Sequence, residues 1–274
     1  MNNAALKRNN VKISGKGTQP IIFAHGYGCD QNMWRFVAPA FEDDYKVILF
    51  DHVGAGSSDL AAFDRNKYRT LQGYAADVLE VCEALDLKDV TFVGHSVSSM
   101  IGVLAAIEQP ERFANLILLG PSPRYINDAN YTGGFERQEI DGLLQMLDAN
   151  YLGWASSMAP AIMGNPDRPE LAAELQNSFC RTDPQIAKFF ARVTFLSDNR
   201  NDLAQVRTRT LVFQCSDDII APQSVGEFVH RQIPDSELLL AAAKGHCPNL
   251  SAPEETIGAI QRFLARVPAE AASF

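Results

Sequence analysis

Residues 89–100 read Asp-Val-Thr-Phe-Val-Gly-His-Ser-Val-Ser-Ser-Met and restrict the possible folds more than any other stretch of the chain. A run of β-formers, Val90 to Val93, leads into Gly94-His95-Ser96-Val97-Ser98, and a helix-compatible apolar segment follows. A serine between a strand and a helix is forced onto a sharp turn that lifts its Oγ from the sheet edge, the geometry of a nucleophile elbow. The Val97 amide then opens the helix and faces any oxyanion formed at Ser96. Small residues are required on both sides of such a serine; Gly94 meets the requirement, and Ser98 stands where a second glycine is usual.

The rest of the chain suits such an elbow. Short apolar, β-branched runs recur at residues 21–24, 47–50, 90–93, 116–119, 211–214 and 238–240. Several are apolar at successive positions, as expected for strands covered on both faces of a mainly parallel sheet. Amphipathic stretches of helical length lie between them, at 71–85, 100–108, 224–233 and 254–266. This alternation predicts an α/β fold with a doubly wound, mainly parallel sheet, whose ligand groups gather at the carboxyl ends of the strands.

The alternation stops between about residues 121 and 206, where helical patterns at 135–150, 151–163, 169–180 and 184–196 are punctuated by Asn, Asp, Gly and Pro. The expected organisation is a core of residues 1–120 and 206–274 with a four-helix lid, residues 121–205, inserted over the strand ends. A lid needs an inner face, and Phe135, Leu143, Trp154, Met158 and Phe195 are the candidates to line a pocket there.

Composition excludes several functions. A net charge of −9, from 24 Lys and Arg against 33 Asp and Glu, argues against nucleic-acid binding, which needs clustered cations. No apolar run reaches membrane-spanning length, and residues 1–17 have no uninterrupted apolar segment of the kind a signal peptide carries. Five cysteines without close pairing read as reduced thiols, so the expected location is the cytoplasm. The Ala-rich tail after Pro268 reads as disordered.

Two further segments complete a catalytic constellation. The strand at 211–214 opens into Cys215-Ser216-Asp217-Asp218-Ile219-Ile220-Ala221-Pro222, and the strand at 238–240 leads to Gly245-His246-Cys247-Pro248. Ser96 needs a base, which His246 can supply, and a carboxylate must hold the histidine in the correct tautomer. Asp218, four residues before Pro222, is the preferred acid and Asp217 the alternative. The early segment Phe23-Ala24-His25-Gly26-Tyr27-Gly28 provides a second oxyanion donor, the Tyr27 amide, to pair with that of Val97. Losing one such donor typically costs about 2.7–4 kcal/mol of transition-state stabilisation.

Other features read as structural. Gly54-Ala55-Gly56-Ser57-Ser58-Asp59 lacks the last glycine of a dinucleotide fingerprint and is expected to be a turn, and Gly15-Lys16-Gly17 lacks phosphate-loop spacing. His25 and His95 are expected to brace loops, while His52 and His230 have no evident partners. Cys29, Cys215 and Cys247 do not have metal-cage spacing and read as small apolar fillers, so neither metal nor cofactor is expected.

Taken together, residues 23–31, Gly94-His95-Ser96-Val97-Ser98, residues 215–222 and Gly245-His246-Cys247-Pro248 resemble one subfamily of α/β-hydrolases. It is the group of the bacterial stress-signalling protein RsbQ and of the plant strigolactone and karrikin receptors, with RsbQ the nearer likeness. Ser98 is part of that resemblance, which extends over nearly the whole chain. It implies a Ser96–His246–Asp218 triad, an oxyanion hole from Tyr27 and Val97, and a deep hydrophobic pocket. It also implies slow hydrolysis of a small hydrophobic ester or lactone-like compound, in a stress-signalling regulator partnered by a PAS-domain phosphatase. The competing readings are a metabolic carboxylesterase or carbon–carbon bond hydrolase, and a non-catalytic small-molecule receptor.

Overall fold

The computed structural model describes residues 3–266. In chain order, α1 (Asn3–Arg8), β1 (Lys12–Ser14), β2 (Gln19–Ala24) and β3 (Tyr45–Phe50) precede α2 (Leu71–Ala84), β4 (Val90–His95), α3 (Val97–Glu108) and β5 (Phe113–Leu119). Four helices follow without an intervening strand: α4 (Arg137–Ala149), α5 (Tyr151–Met163), α6 (Pro169–Arg181) and α7 (Pro184–Phe195). The sheet resumes with β6 (Arg209–Asp217), α8 (Gln223–Gln232) and β7 (Ser236–Lys244), and α9 (Pro248–Ser251) and α10 (Pro253–Ala265) close the described chain. The Ala-rich tail lies outside the described residues.

The strands form one seven-stranded sheet in the order β1-β3-β2-β4-β5-β6-β7. All neighbours are parallel except β1, which runs antiparallel to β3. Alternate residues of the central strands enter different cores. Ile22, Phe92, Leu116, Leu118 and Val212 join the core under α2 and α3, whereas Ile21, Phe23, Val93, Ile117 and Phe213 join the one containing Phe263 of α10. Burial on both faces is the reason these strands read as continuous apolar runs.

One element departs from the sequence reading. β1 was not expected: its residues Lys-Ile-Ser are all exposed at a sheet edge, so no core pattern marks them. Between β2 and β3 the chain makes only short 3₁₀ turns, at Gln31–Trp34 and Ala38–Phe41, in place of a crossover helix. Chain order reverses around β2, with β3 on one side and β4 on the other, which opens a crevice at their carboxyl ends. Ala24 is paired with Gly94 on the adjacent β4, so the loop after β2 and the Ser96 turn begin side by side.

The four inserted helices begin where the punctuation placed them. Asn150 accepts from the Gly153 amide at 2.9 Å to start α5, and Asp183 accepts from the Gln185 and Ile186 amides to start α7. Pro169 and Pro184 occupy first helical positions, where a missing N–H is harmless.

One buried charge fixes the amino-terminal segment. Asp77 on α2 is fully enclosed, with Arg8 Nη2 at 2.9 Å and Lys67 Nζ at 2.6 Å, and it accepts from the Tyr68 hydroxyl at 2.9 Å. Removing the carboxylate leaves Arg8 and Lys67, whose side chains are mostly covered, with only the more exposed Glu80 as an acidic partner. Asp77→Ala is expected to lower the unfolding free energy by about 3 kcal/mol, measured by urea titration.

Candidate active site

Ser96 stands between β4 and α3 at φ 57° and ψ −123°. A non-glycine residue there is strained by about 1–3 kcal/mol, which persists only where the surroundings over-determine it. Three hydrogen bonds do so: Ser96 N–H to Leu119 O at 2.8 Å, Ser99 N–H to Ser96 O at 2.9 Å, and Ser99 Oγ to Gly94 O at 2.9 Å. The turn brings α3 onto the end of β4 so closely that a Cβ at Gly94 would lie 2.5 Å from Ser98 O. Glycine at 94 is therefore a packing requirement.

The structure brings Ser96, His246 and Asp218 together, all three buried. His246 Nε2 lies 2.7 Å from Ser96 Oγ, and His246 Nδ1 lies 2.7 Å from Asp218 Oδ2. Asp218 Oδ1 also accepts from the Ile220 and Ala221 amides at 2.8 and 3.1 Å, which fixes the carboxylate plane. A carboxylate can only accept, so Nδ1 carries the hydrogen and Nε2 presents its lone pair to the serine hydroxyl. Asp217 is exposed at the end of β6 and takes no part in this chain of bonds. The His246 amide donates to Ile162 O at the end of α5, at 2.8 Å.

The loop after β2 lies against the elbow: a Cβ at Gly26 would meet His95 Nδ1 at 2.7 Å and Ser96 Cβ at 3.3 Å. Tyr27 follows and lines the same cavity as Ser96. Val97 is the first residue of α3, so its amide has no carbonyl partner within the helix. Burial pushes the Tyr27 phenol well above its ordinary range, and the hydroxyl donates to Ala187 O on α7 at 3.1 Å.

The cavity over Ser96 and His246 is small, about 30 Å³, against roughly 300–1,000 Å³ for a typical ligand pocket. This corrects the expectation of a deep pocket. Trp154, Phe179, Phe195 and Tyr27 crowd the space, with Trp154 and Phe195 each 6.0 Å from Tyr27 between ring centroids. Trp154 and Phe195 line the cavity, but Phe135, Leu143 and Met158 do not. Phe135 precedes α4 in a bridge with Ile126, and the fully buried faces of α4 and α5 run through Ile140, Leu144 and Leu147, and through Trp154, Ala155 and Ala159. Leu143 and Met158 lie on the flanks of those faces, half-buried against the main core. Tyr125 and Phe179 are lining residues that the sequence reading missed. Tyr125 follows the carboxyl end of β5, a position that could have pointed to it; its phenol interacts with Ser96 and is pushed up by burial.

The remaining histidines all have partners. His95 Nε2 donates to His246 O at 2.7 Å, and burial pushes His95 down to about 3, so it stays neutral. His25 pairs with the Gly26 carbonyl and the His52 amide. Contrary to the sequence reading, His52 pairs with Ser98 at 2.7 Å and His230 with Ser236 at 2.9 Å. Their partners lie 46 and 6 residues away in sequence, beyond the reach of local patterning for the first. Cys29 and Cys247 line the cavity as buried thiols, and burial raises both, Cys29 to about 12. Among the described residues no group of three or more His, Cys, Asp or Glu side chains could hold a metal ion, and no helix is long and apolar enough to cross a membrane.

A parallel sheet with a strained serine at a strand–helix turn, hydrogen-bonded to a histidine and an aspartate from later strand ends, defines the architecture of the serine-hydrolase class. Residues 19–202 match the model of the alpha/beta hydrolase fold family. The chain belongs to the α/β-hydrolase family and is an enzyme of that family. It is 39% identical to a strigolactone esterase of Arabidopsis thaliana over 95% of this chain and 98% of the relative. It is 37% identical to a karrikin insensitive 2 receptor of Petunia hybrida over 93% of this chain and 95% of the relative. Among solved structures, a hydrolase from Oleispira antarctica superposes with a TM-score of 0.93 at 42% identity, covering 96% of this chain and 97% of that one.

The close approach at Gly94 gives a direct test of the elbow. Gly94→Ala is expected to cost about 1–3 kcal/mol through overpacking and to slow labelling of Ser96 by a fluorophosphonate. Thermal melting and mass spectrometry of the labelled peptide measure the two effects.

Proposed function

We propose that this protein hydrolyses a small hydrophobic ester or lactone-like compound by nucleophilic catalysis, with Ser96 as nucleophile, His246 as base and Asp218 as its orienting acid. The carrying observation is the continuous hydrogen-bonded chain from Ser96 Oγ through His246 to Asp218, with 2.7 Å at each link. Ser96 Oγ attacks the carbonyl carbon as His246 Nε2 takes its proton, and the carbonyl electron pair moves onto oxygen. The Tyr27 and Val97 amides hold that oxyanion. Collapse expels the alkoxide, which takes the proton from His246 and leaves an acyl-serine. Water then repeats the sequence and frees Ser96 and the acid. Asp218 stabilises the imidazolium formed in each half.

We assign residues 121–205 the role of a lid. The narrow cavity favours short acyl groups, because longer ones require Trp154, Phe179 or Phe195 to move. Acetyl aryl esters should therefore turn over faster than hexanoyl ones. Phe195→Leu should narrow that gap, as measured by the ratio of kcat/KM values; an unchanged ratio would remove Phe195 from the selective wall.

The triad assignment predicts that Ser96→Ala abolishes turnover and that Asp218→Asn lowers it by about 10⁴-fold through the wrong imidazole tautomer. Asp217→Asn should retain activity close to that of the parent. The opposite ranking of the two aspartates, in steady-state assays with 4-nitrophenyl acetate, would show the acid to be misassigned.

The family resemblance and the two receptor- and esterase-named relatives support a signalling role in which ligand occupancy or turnover is the signal. The likeness of Gly94-His95-Ser96-Val97-Ser98 to the RsbQ group extends the proposal to a stress response with a PAS-domain phosphatase partner, and the unpaired cysteines suit a cytoplasmic location. Co-purification of that phosphatase from stressed cells supports the reading. A second reading, a metabolic lactonase, draws on 26% identity to a 3-oxoadipate enol-lactonase of Acinetobacter baylyi over 94% of this chain. Turnover of a defined lactone at metabolic rates, with no partner recovered, would favour it.

A further inference from the structure

Ser98 stands where the elbow usually carries glycine, and its hydroxyl is not idle. It is fully buried at the second position of α3, donates to His25 O at 2.5 Å, and lies 2.7 Å from His52 Nε2. A serine hydroxyl has one hydrogen, and His25 O takes it, so His52 must donate from Nε2. The other ring nitrogen of His52, Nδ1, has no hydrogen-bond partner among the described residues, as befits a bare lone pair in an apolar surround. Burial, with the neighbouring His25 second, keeps the His52 ring well below the ordinary imidazole range and therefore neutral.

The chain of bonds continues into the loop after β2. The His52 backbone N–H donates to His25 Nε2 at 3.1 Å, so the His25 hydrogen is on Nδ1, which donates to Gly26 O at 2.9 Å, the shorter of two bonds to that oxygen, the other being from the Cys29 amide at 3.3 Å. Gly26 O and the Tyr27 N–H belong to one planar trans peptide, and they point in opposite directions. Holding the oxygen on the far side therefore aims the N–H toward the cavity where Ser96 stands. A hydrogen bond accepted by the carbonyl also polarises the same peptide and strengthens its N–H as a donor.

We propose that Ser98 and His52 are positioning residues that set the direction of the Tyr27 oxyanion donor through His25. This rests on the assignment of Tyr27 as an oxyanion donor made above. It gives the serine at position 98 a role in the reaction that glycine could not perform, and it makes His52, two residues beyond β3, part of the catalytic framework without contact with substrate.

The test compares Ser98→Ala, His52→Leu and His52→Gln with the parent on 4-nitrophenyl acetate, below the melting temperature of each. A trifluoromethyl ketone that adds to Ser96 as a hemiketal oxyanion serves as the probe of the hole. Ser98→Ala and His52→Leu are expected to lower kcat by about tenfold, less than outright loss of a donor, with KM changed by no more than about twofold. Affinity for the ketone should fall by the same factor as kcat. His52→Gln keeps an N–H near the position of Nε2 and should recover kcat to within about threefold of the parent. A purely structural role would lower the melting temperature while leaving kcat and ketone affinity unchanged, and that result overturns the proposal. Should Ser98→Ala not fold, the His52 pair decides alone: equal activity in Leu and Gln variants overturns it. A parent protein that hydrolyses no ester and forms no hemiketal overturns the oxyanion assignment as well, whereas an active parent with unaltered variants overturns the positioning proposal alone.

Discussion

The strained backbone of Ser96 is the point on which the site depends. Its φ of 57° and ψ of −123° turn the chain from strand to helix within one residue, so Oγ leaves the sheet edge and the α3 amides begin immediately beyond it. The conformation is held from three directions: by Leu119 O on the neighbouring strand, by Ser99 folding back onto Gly94, and by packing that leaves no room for a side chain at 94. Register does the rest. Ala24 opposite Gly94 puts the loop after β2 beside the serine, and the parallel β6 and β7 deliver Asp218 and His246 from their carboxyl ends.

The four helices between β5 and β6 are not an independent cover. The His246 amide caps Ile162 O at the end of α5, Tyr27 donates to Ala187 O on α7, and Ser178 on α6 donates to Gly28 O at 2.9 Å. His246 and the loop after β2 are thus each hydrogen-bonded to helices that also present the cavity's aromatic wall. Displacing those helices breaks bonds that position His246 and the segment 27–28 beside Ser96. Edge-on and tilted contacts among the rings of Tyr27, Trp154, Phe179 and Phe195 bury large apolar areas against one another, and this accounts for so little empty space above Ser96.

Much of this was legible in the chain. Strands buried on both faces carry runs of successive apolar residues, so β2 to β6 announced themselves, as did helices with clear caps such as Asn150 and Asp183. The elbow, the acid loop and the histidine loop could be read because each is a short local pattern following a strand. β1 escaped because an exposed three-residue edge strand has no pattern to show.

By itself the sequence determined which residues could be nucleophile, base and acid, because those roles need particular side chains at strand ends in a set order. Only tertiary structure decided which acid meets the base: Asp217 and Asp218 are chemically alike, and the chain's path after β6 exposes one and buries the other against His246. It also decided the cavity wall, retaining Trp154 and Phe195, excluding Phe135, Leu143 and Met158, and adding Tyr125 and Phe179. It joined His52 to Ser98 across 46 residues. Helical spacing tells which residues share a face, but which face looks into a cavity depends on how several helices rotate and pack together, and that is settled by contacts far apart in the chain.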